Sequence, residues 1–171
     1  HTSLPPGIND SKALSPTRRD EIFTRLRQVA VIGVGLASVD EIDLHNILQA
    51  TLLAMGRAVW ALPQNPEMAL VDGNQLPDLS CPAQAVIGGD GISLSIAAAS
   101  IVAKVTRDRI MEGLAKVHPA YGWERNRGYG TAEHRRAIVA VGITCHHRRS
   151  FAPVRAAINA RLNPATRLVT V

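Results

Sequence analysis

The sequence predicts an α/β domain in which helices cover a sheet. Helical patterns with clear capping signals alternate with two short apolar runs, and this alternation is typical of α/β folds. The 171 residues are 46% apolar, which is enough to bury one substantial core. These observations favour a single main domain, with or without a C-terminal appendage.

The first helix and the first strand are predicted near the N-terminus. Ser15 precedes a proline, so it is a capping residue followed by proline at the first helical position. The helix that begins there is amphipathic, with Ile22, Phe23 and Leu26 turned inward. Residues 30–36 follow as a predicted strand.

A long helix is predicted next. Ser38 and Glu41 have the spacing of a capping box, and Pro63 stops the helical pattern of residues 42–62. The apolar residues of this stretch roughly keep a helical period, so the helix is expected to cover the sheet. They are Ile42, Ile47, Leu48, Leu52, Met55 and Val59.

Two short strands follow, and each is predicted to end at an aspartate. Residues 68–72 form an apolar run closed by Asp72, and residues 85–90 form one closed by Asp90. Neighbouring strand ends would bring the two carboxylates together. Carboxylate oxygens are ligands for Mg²⁺ and Mn²⁺, and two such ions can promote phosphodiester cleavage. The alternative is that Asp-Gly is only a turn between strands.

The rest of the chain is predicted to be mainly helical. Ser93 or Ser95 caps a helix that extends to about Val117, and its small side chains permit close packing on a sheet. Residues 119–130 are expected to form a loop. Two further helices are predicted, from a cap at Thr131 to Gly142 and from Ser150 to Arg161.

Charge is divided unevenly along the chain. Residues 1–103 hold six Lys/Arg and ten Asp/Glu, whereas residues 104–171 hold thirteen and four. Net charges of −4 and +9 favour one part that holds cations and another that binds a polyanion. The alternative is that the arginines form a solvated helix face. The composition of residues 125–130 favours nucleic-acid binding, because it combines arginines with glycine and an aromatic ring.

The composition favours a cytoplasmic protein. Two cysteines in a chain of this length fit a reducing compartment. No apolar run approaches the ~18 to 20 residues needed to cross a bilayer, and no secretory leader is recognised. The chain begins at His1 rather than at methionine, and we interpret it as a fragment or a processed product.

Seven segments occur in the order found in the type 2 ribonucleases H, and the chain most resembles bacterial ribonuclease HII. The resemblance covers about residues 7–160, and the long alanine-rich segment is very specific. The segments are GINDSKAL (7–14), EIDLHNI (41–47), LVDGN (70–74), GD (89–90), SIAAASIVAKVTRD (95–108), RGYGT (127–131) and HRRSF (147–151).

The resemblance implies an RNase H-like fold, with a mixed five-stranded sheet flanked by helices. It assigns residues 1–118 to the catalytic core and residues 119–171 to a basic helical part that grips the substrate. The implied activity is endonucleolytic hydrolysis of RNA in RNA–DNA hybrids. Ribonucleotides embedded in duplex DNA are also implied substrates, which suggests a role in DNA repair. The implied cofactor is Mn²⁺ or Mg²⁺, and the protein is expected to be a monomer.

The resemblance also assigns roles to individual residues. Asp72 matches the third metal carboxylate of the family and Asp90 matches the fourth. Tyr129 matches the tyrosine that stacks on the deoxyribose after the ribonucleotide. Lys12 lies in a motif that borders the substrate path and is expected to contact a phosphate.

The sequence departs from the family pattern in two places. The Asp-Glu-x-Gly-Arg-Gly motif, which carries the other two metal carboxylates on the first strand, is absent from these residues, and Gly88 stands where relatives usually have lysine. Asp10, Asp40, Glu41 and Asp43 are not expected to substitute for the missing acids. We therefore expect this chain to be inactive by itself, and a non-catalytic hybrid-binding fragment is the alternative.

Three further patterns are interpreted without a catalytic role. Cys145, His146 and His147 lack the ligand spacing of a zinc site, and the second histidine is expected to fix the last helix by hydrogen bonds. His134 is expected on a solvated helix face. A dinucleotide site at residues 33–35 is not favoured, because the third glycine of that motif is absent.

Overall fold

Six helices and one pair of parallel strands make up the regular structure in the computed structural model, which describes residues 4–162. This composition confirms the predicted α/β class. The helices are α1 (Pro16–Val29), α2 (Val39–Trp60), α3 (Leu94–Val117), α4 (Trp123–Asn126), α5 (Ala132–Val141) and α6 (Ala152–Leu162). The strands are β1 (Ala69–Asp72) and β2 (Ala83–Val86), and single 3₁₀ turns span Gly89–Gly91 and Pro119–Tyr121.

The described residues belong to two compact units. The first unit contains the chain up to Ala37 together with Leu48–Arg107. The second contains Ser38–Ile47 and the chain from Asp108 onward. No helix among residues 4–162 is long and apolar enough to span a membrane.

Side-chain caps begin three of the helices where the sequence predicts them. Ser15 Oγ accepts a hydrogen bond from the Arg18 N–H (3.2 Å) at the start of α1. At α2, Ser38 Oγ accepts from the Glu41 N–H (3.1 Å), and Glu41 Oε2 accepts from the Ser38 N–H (2.8 Å). Thr131 Oγ1 accepts from the N–H three residues later (3.2 Å), which begins α5. These caps satisfy N–H groups that have no partner within the helix.

The core of the first unit lies between α1 and the first half of α3. The three residues predicted to face inward from α1, Ile22, Phe23 and Leu26, are all buried. They pack against Ala98, Ile101, Val102 and Val105 of α3. Burial of each large apolar side chain contributes about 1.5–3 kcal/mol, so this contact anchors the unit.

The predicted strand at residues 30–36 is not observed as a strand. Residues 31–38 have no regular secondary structure, and within the described chain the only strand pairing is between β1 and β2. Gly33 and Gly35 instead lie against α2, where an added Cβ would come within 2.0 Å of the carbonyl oxygens of Ala58 and Ala54. This segment therefore packs closely on α2 and does not form the backbone hydrogen bonds of a strand.

Helix α2 also differs from its prediction. Asn46 has φ 68° and ψ 168°, so the helix is interrupted after its second turn. Only Ala50 is buried, whereas Ile47 and Leu48 of the predicted sheet-covering stripe are 54% and 43% exposed. The sheet has only two strands of four residues each, which is too small a surface to bury the apolar stripe of a 22-residue helix.

A cluster of aromatic and aliphatic side chains forms the core of the second unit. Trp123, Ile138 and Val154 are almost completely buried, and Met111, Ala115 and Tyr121 complete the cluster. The rings of Tyr121 and Trp123 are stacked with centroids 4.9 Å apart. This core connects the short helix α4 to α5 and α6.

Candidate metal and nucleic-acid site

Asp72 is the last residue of β1, at the edge where both parallel strands end. It pairs in register with Val86, and the Gly73 N–H donates to the Val86 carbonyl at 3.0 Å. The Asp72 carboxylate accepts a hydrogen bond from the Gly89 N–H through Oδ1, at 2.9 Å. The backbone that follows β2 therefore fixes this carboxylate.

Asp90 lies beyond its strand rather than at its end. β2 stops at Val86, and Asp90 occupies the 3₁₀ turn that follows. Gly88 enters the turn with a left-handed φ of 64°, and a Cβ on Gly89 would come within 2.4 Å of Ile96 Cδ1. A side chain at position 89 would therefore displace Ile96, so Gly89 helps to place the Asp90 carboxylate, whose side chain is only 16% exposed.

Lys12 lies beside Asp90. Its ammonium nitrogen lies 3.5 Å from Asp90 Oδ2, although Lys12 comes from the loop before α1. The Lys12 side chain is 81% exposed, so this ion pair contributes little to stability. The same exposure leaves the ammonium accessible to a phosphate.

Arg19 is a supporting residue that the sequence reasoning missed. Its guanidinium is buried, and Nη1 donates to the carbonyls of Ser11 (2.8 Å) and Leu14 (2.6 Å). These bonds hold the turn that carries Lys12 against helix α1. Its spacing could have predicted its burial, because Arg19 lies three residues before Ile22 and so shares the inward face of α1.

Two other acidic residues of the N-terminal half have partners elsewhere. The Asp10 carboxylate accepts the Lys12 N–H at 2.9 Å within the turn. Asp43, in the second unit, accepts from the N–H groups of Arg149 (2.6 Å) and Ser150 (3.0 Å). Burial acts to raise the pKa of Asp43, but its hydrogen bonds from Ser150 and Arg149 outweigh this effect and lower the pKa.

The donor set at Asp72 and Asp90 suits part of a divalent-cation shell. Mg²⁺ is commonly held by one or two protein carboxylates, with water and phosphate oxygens completing its coordination. Within residues 4–162, no group of three or more His, Cys, Asp or Glu side chains is placed to hold a metal ion. The described chain therefore supplies two carboxylates toward such a site.

Tyr129, the fourth predicted site residue, belongs to the second unit. The residue is 60% exposed, whereas its backbone is hydrogen-bonded on both sides. The Tyr129 N–H donates to the Asn126 carbonyl, and its own carbonyl accepts the Thr131 N–H, both at 2.8 Å. The adjacent Gly130 leaves no room for a Cβ, which would lie 2.8 Å from Phe151 Cζ. A rigid loop therefore presents the ring to solvent.

His134 and His147 differ from their predicted environments. His134 is 3% exposed rather than on a solvated face, because its side of α5 packs onto Trp123. His147 is 5% exposed, and its ring is hydrogen-bonded to Thr144 and His134 rather than to the last helix. Cys145 is exposed.

Comparison with known proteins gives a consistent set of relatives. Residues 5–154 match the Ribonuclease HII family. Ribonuclease HII from Parvibaculum lavamentivorans is 54% identical over 170 residues, covering 99% of this chain and 63% of the relative. Ribonuclease HII from Paramagnetospirillum magneticum is 60% identical over 147 residues, covering 86% and 73%. The chain thus spans between about three fifths and three quarters of the length of these two relatives.

A solved structure also resembles this fold. The crystal structure of the ribonuclease H2 from Pyrococcus horikoshii OT3 superposes with a TM-score of 0.74 at 24% sequence identity. The superposition covers 90% of this chain and 81% of the other. At this identity the likeness supports the fold.

Proposed function

Because this chain belongs to the ribonuclease HII family, we propose that it is part of an endonuclease acting on the RNA strand of RNA–DNA hybrids. We extend the proposal to incision 5′ to ribonucleotides embedded in duplex DNA. The observation that supports it most is a pair of contacts. The Gly89 N–H donates to the Asp72 carboxylate, and the Lys12 ammonium lies 3.5 Å from the carboxylate of Asp90, the residue after Gly89.

The proposed reaction is hydrolysis of a phosphodiester bond. The oxygen of water forms a new bond to phosphorus, and the bond from phosphorus to the 3′ oxygen of the preceding nucleotide breaks. The products are a 3′-hydroxyl and a 5′-phosphate on the ribonucleotide. Such a reaction needs a site that accepts the negative charge of the phosphate and of the leaving oxygen.

Asp72 and Asp90 are the proposed ligands of Mn²⁺ or Mg²⁺ in a two-ion site. When bound, the ions supply Lewis acidity and lower the pKa of coordinated water. The chain contributes fixed carboxylates: Gly89 holds one by its N–H, and the 3₁₀ turn places the other. Lys12 lies beside Asp90 and is proposed to contact a substrate phosphate.

The second unit is proposed to recognise the substrate. Tyr129 has the exposed ring and fixed backbone needed for stacking on the deoxyribose that follows a ribonucleotide. The 2′-hydroxyl distinguishes RNA from DNA at such a site. Residues 104–171 carry a net charge of +9, which supports salt-sensitive attraction to the nucleic-acid backbone.

A second candidate function is binding to hybrids without cleavage. It is favoured by the donor set, because no group of three or more acidic, histidine or cysteine side chains within residues 4–162 could hold a metal ion. The two functions differ in whether the bound strand is cut.

The test uses a labelled duplex with one embedded ribonucleotide, incubated with Mn²⁺ and with Mg²⁺. We expect the protein that carries this chain to cut 5′ to the ribonucleotide, and end-group analysis identifies the 3′-hydroxyl and 5′-phosphate. An all-DNA duplex of the same sequence is the control. Tight binding to the ribonucleotide-containing duplex without any cut product would favour the binding function and overturn the nuclease.

A further inference from the structure

The structure assigns to His134 and His147 the role of positioning residues for Tyr129. Hydrogen bonds through the two buried rings end at the Tyr129 backbone carbonyl, and the ring of this tyrosine is proposed to meet the substrate. The inference rests on the function proposed for Tyr129. It concerns how the chain holds that residue in place.

The contacts form a continuous path in the second unit. His147 Nε2 lies 3.2 Å from His134 Nε2, and His134 Nδ1 lies 3.0 Å from the Tyr129 carbonyl oxygen. Trp123 Nε1–H donates to His134 Nε2 at 3.1 Å, and the Thr144 N–H donates to His147 Nδ1 at 3.0 Å. Both histidines are almost fully buried, so water does not compete for these bonds.

The partners at the ends of the path decide where each proton lies. The Thr144 N–H can only donate, so His147 Nδ1 is an acceptor and the neutral ring carries its proton on Nε2. The Trp123 indole can also only donate, so His134 Nε2 is an acceptor that it shares with His147 Nε2–H. The proton of neutral His134 is therefore on Nδ1, where it donates to the Tyr129 carbonyl.

The hydrogen bonds can be arranged in only one donor-to-acceptor order, from His147 through His134 to the Tyr129 carbonyl. Protonation of His134 would set Nε2–H against two donors, and protonation of His147 would set Nδ1–H against the Thr144 N–H. The lone pair on His134 Nε2 is already used by Trp123, so the close pair of imidazole nitrogens is not a metal site. The two rings thus form a chain of donors and acceptors that ends at the Tyr129 carbonyl.

The consequence for Tyr129 is restraint of its backbone. Its carbonyl accepts from both His134 Nδ1–H and the Thr131 N–H, while its N–H donates to Asn126. The preceding Gly128 has a left-handed φ of 79°. Glycine adopts other conformations about as readily, so Gly128 alone does not restrain the loop. A restrained backbone with an exposed ring is preorganised for stacking, because less freedom is lost when the substrate binds.

The test compares two amides at position 134. In His134→Asn the side-chain nitrogen lies near the former Nδ1, so the bond to the Tyr129 carbonyl can remain. In His134→Gln the amide lies near the former Nε2, so it keeps the contacts with Trp123 and His147 but loses Tyr129. We expect His134→Gln to lower cleavage at an RNA–DNA junction about threefold to tenfold, the effect of one ordinary hydrogen bond. His134→Gln should cut an all-RNA strand in a hybrid at nearly the normal rate. His134→Asn should keep a junction rate close to that of the wild type.

A double-mutant cycle separates positioning from general packing. If His134 acts through Tyr129, His134→Gln should have no further effect in a Tyr129→Ala background. Equal losses on both substrates, or an undiminished loss in the Tyr129→Ala background, would overturn the inference. His147→Gln, which retains an N–H facing His134, and His147→Leu, which does not, give a second pair if His134→Gln fails to fold.

Hydrogen exchange gives a readout that does not depend on activity. The Thr131 amide shares the Tyr129 carbonyl with His134, so its protection should fall in His134→Gln and be kept in His134→Asn. Unchanged protection in both variants would overturn the positioning role. If Tyr129→Ala leaves junction cleavage unchanged, the function proposed for Tyr129 fails, and the exchange data still decide whether the histidines hold its backbone.

Discussion

The N–H of Gly89 donates to Asp72 Oδ1 across 2.9 Å, so the carboxylate that ends β1 is held by the residue immediately before Asp90. One backbone amide thus links the two aspartates of the proposed metal site. Hydrogen bonding from an amide leaves the negative charge of the carboxylate available to a cation. Substitutions that keep the shape of a carboxylate but remove its charge can therefore test whether the site binds a cation.

Asp72→Asn and Asp90→Asn should each abolish turnover while substrate binding is largely kept. An asparagine at position 72 can still accept the Gly89 N–H, but it lacks the charge that holds a divalent ion. We expect cleavage to fall by more than about a hundredfold. Rates are measured against Mn²⁺ concentration, with duplex affinity measured in parallel, and a rate close to wild type at low Mn²⁺ would contradict the assignment.

Lys12→Gln should weaken binding of the substrate through one lost phosphate contact. The slope of log affinity against log salt concentration should become shallower by about 0.9. Lys12→Arg, which keeps the charge, is the matched control. A salt titration of duplex binding checks this, and an unchanged slope in Lys12→Gln would mean that the ammonium does not meet a phosphate.

Tyr129→Ala should reduce cleavage at RNA–DNA junctions, because a stacking surface worth about 1–3 kcal/mol is removed. Binding to plain duplex should change little. Tyr129→Phe keeps the ring and should retain the junction preference. The ratio of junction to all-RNA hybrid cleavage is the measurement, and equal losses on both substrates would reduce the tyrosine to a packing role.

Arg19→Met should destabilise the fold by about 1–3 kcal/mol, since the carbonyls of Ser11 and Leu14 lose their buried donor. Arg25→Met, on an exposed position of the same helix, is the control and should change stability by less than about 0.5 kcal/mol. Urea unfolding of both variants gives the comparison. Equal stability of the two variants would show that the turn at Ser11 and Leu14 needs no donor.

The stability of the fold should depend on pH through His147. Burial, together with the neighbouring His134, lowers the pKa of His147 from 6.5 to about 4, and His118 and His146 are the other titratable rings nearby. The unfolded chain takes up a proton near pH 6.5, so stability is full above that pH and is lost as the pH falls toward 4. The contribution is of order 3 kcal/mol. His147→Gln should flatten this dependence in unfolding measurements at pH 4–7, and an identical pH profile in the variant would refute it.

The sequence by itself determined the features that depend on neighbouring residues. Ser15, Ser38 and Thr131 cap their helices as predicted, because a cap joins groups only two or three positions apart. The inward face of α1 follows from helical periodicity in the same way. Family membership was also recognisable, because the motifs that carry it are short and lie in a characteristic order.

Only the tertiary structure decided what depends on distant partners. Periodicity could not show that His134 would be buried against Trp123, or that Arg19 would satisfy two carbonyls in a loop. Residues 30–36 have the apolar pattern of a strand, yet a strand also requires a backbone partner, and their glycines pack on α2 instead. Burial and pairing are properties of the contact between two segments, so the sequence of one segment does not determine them.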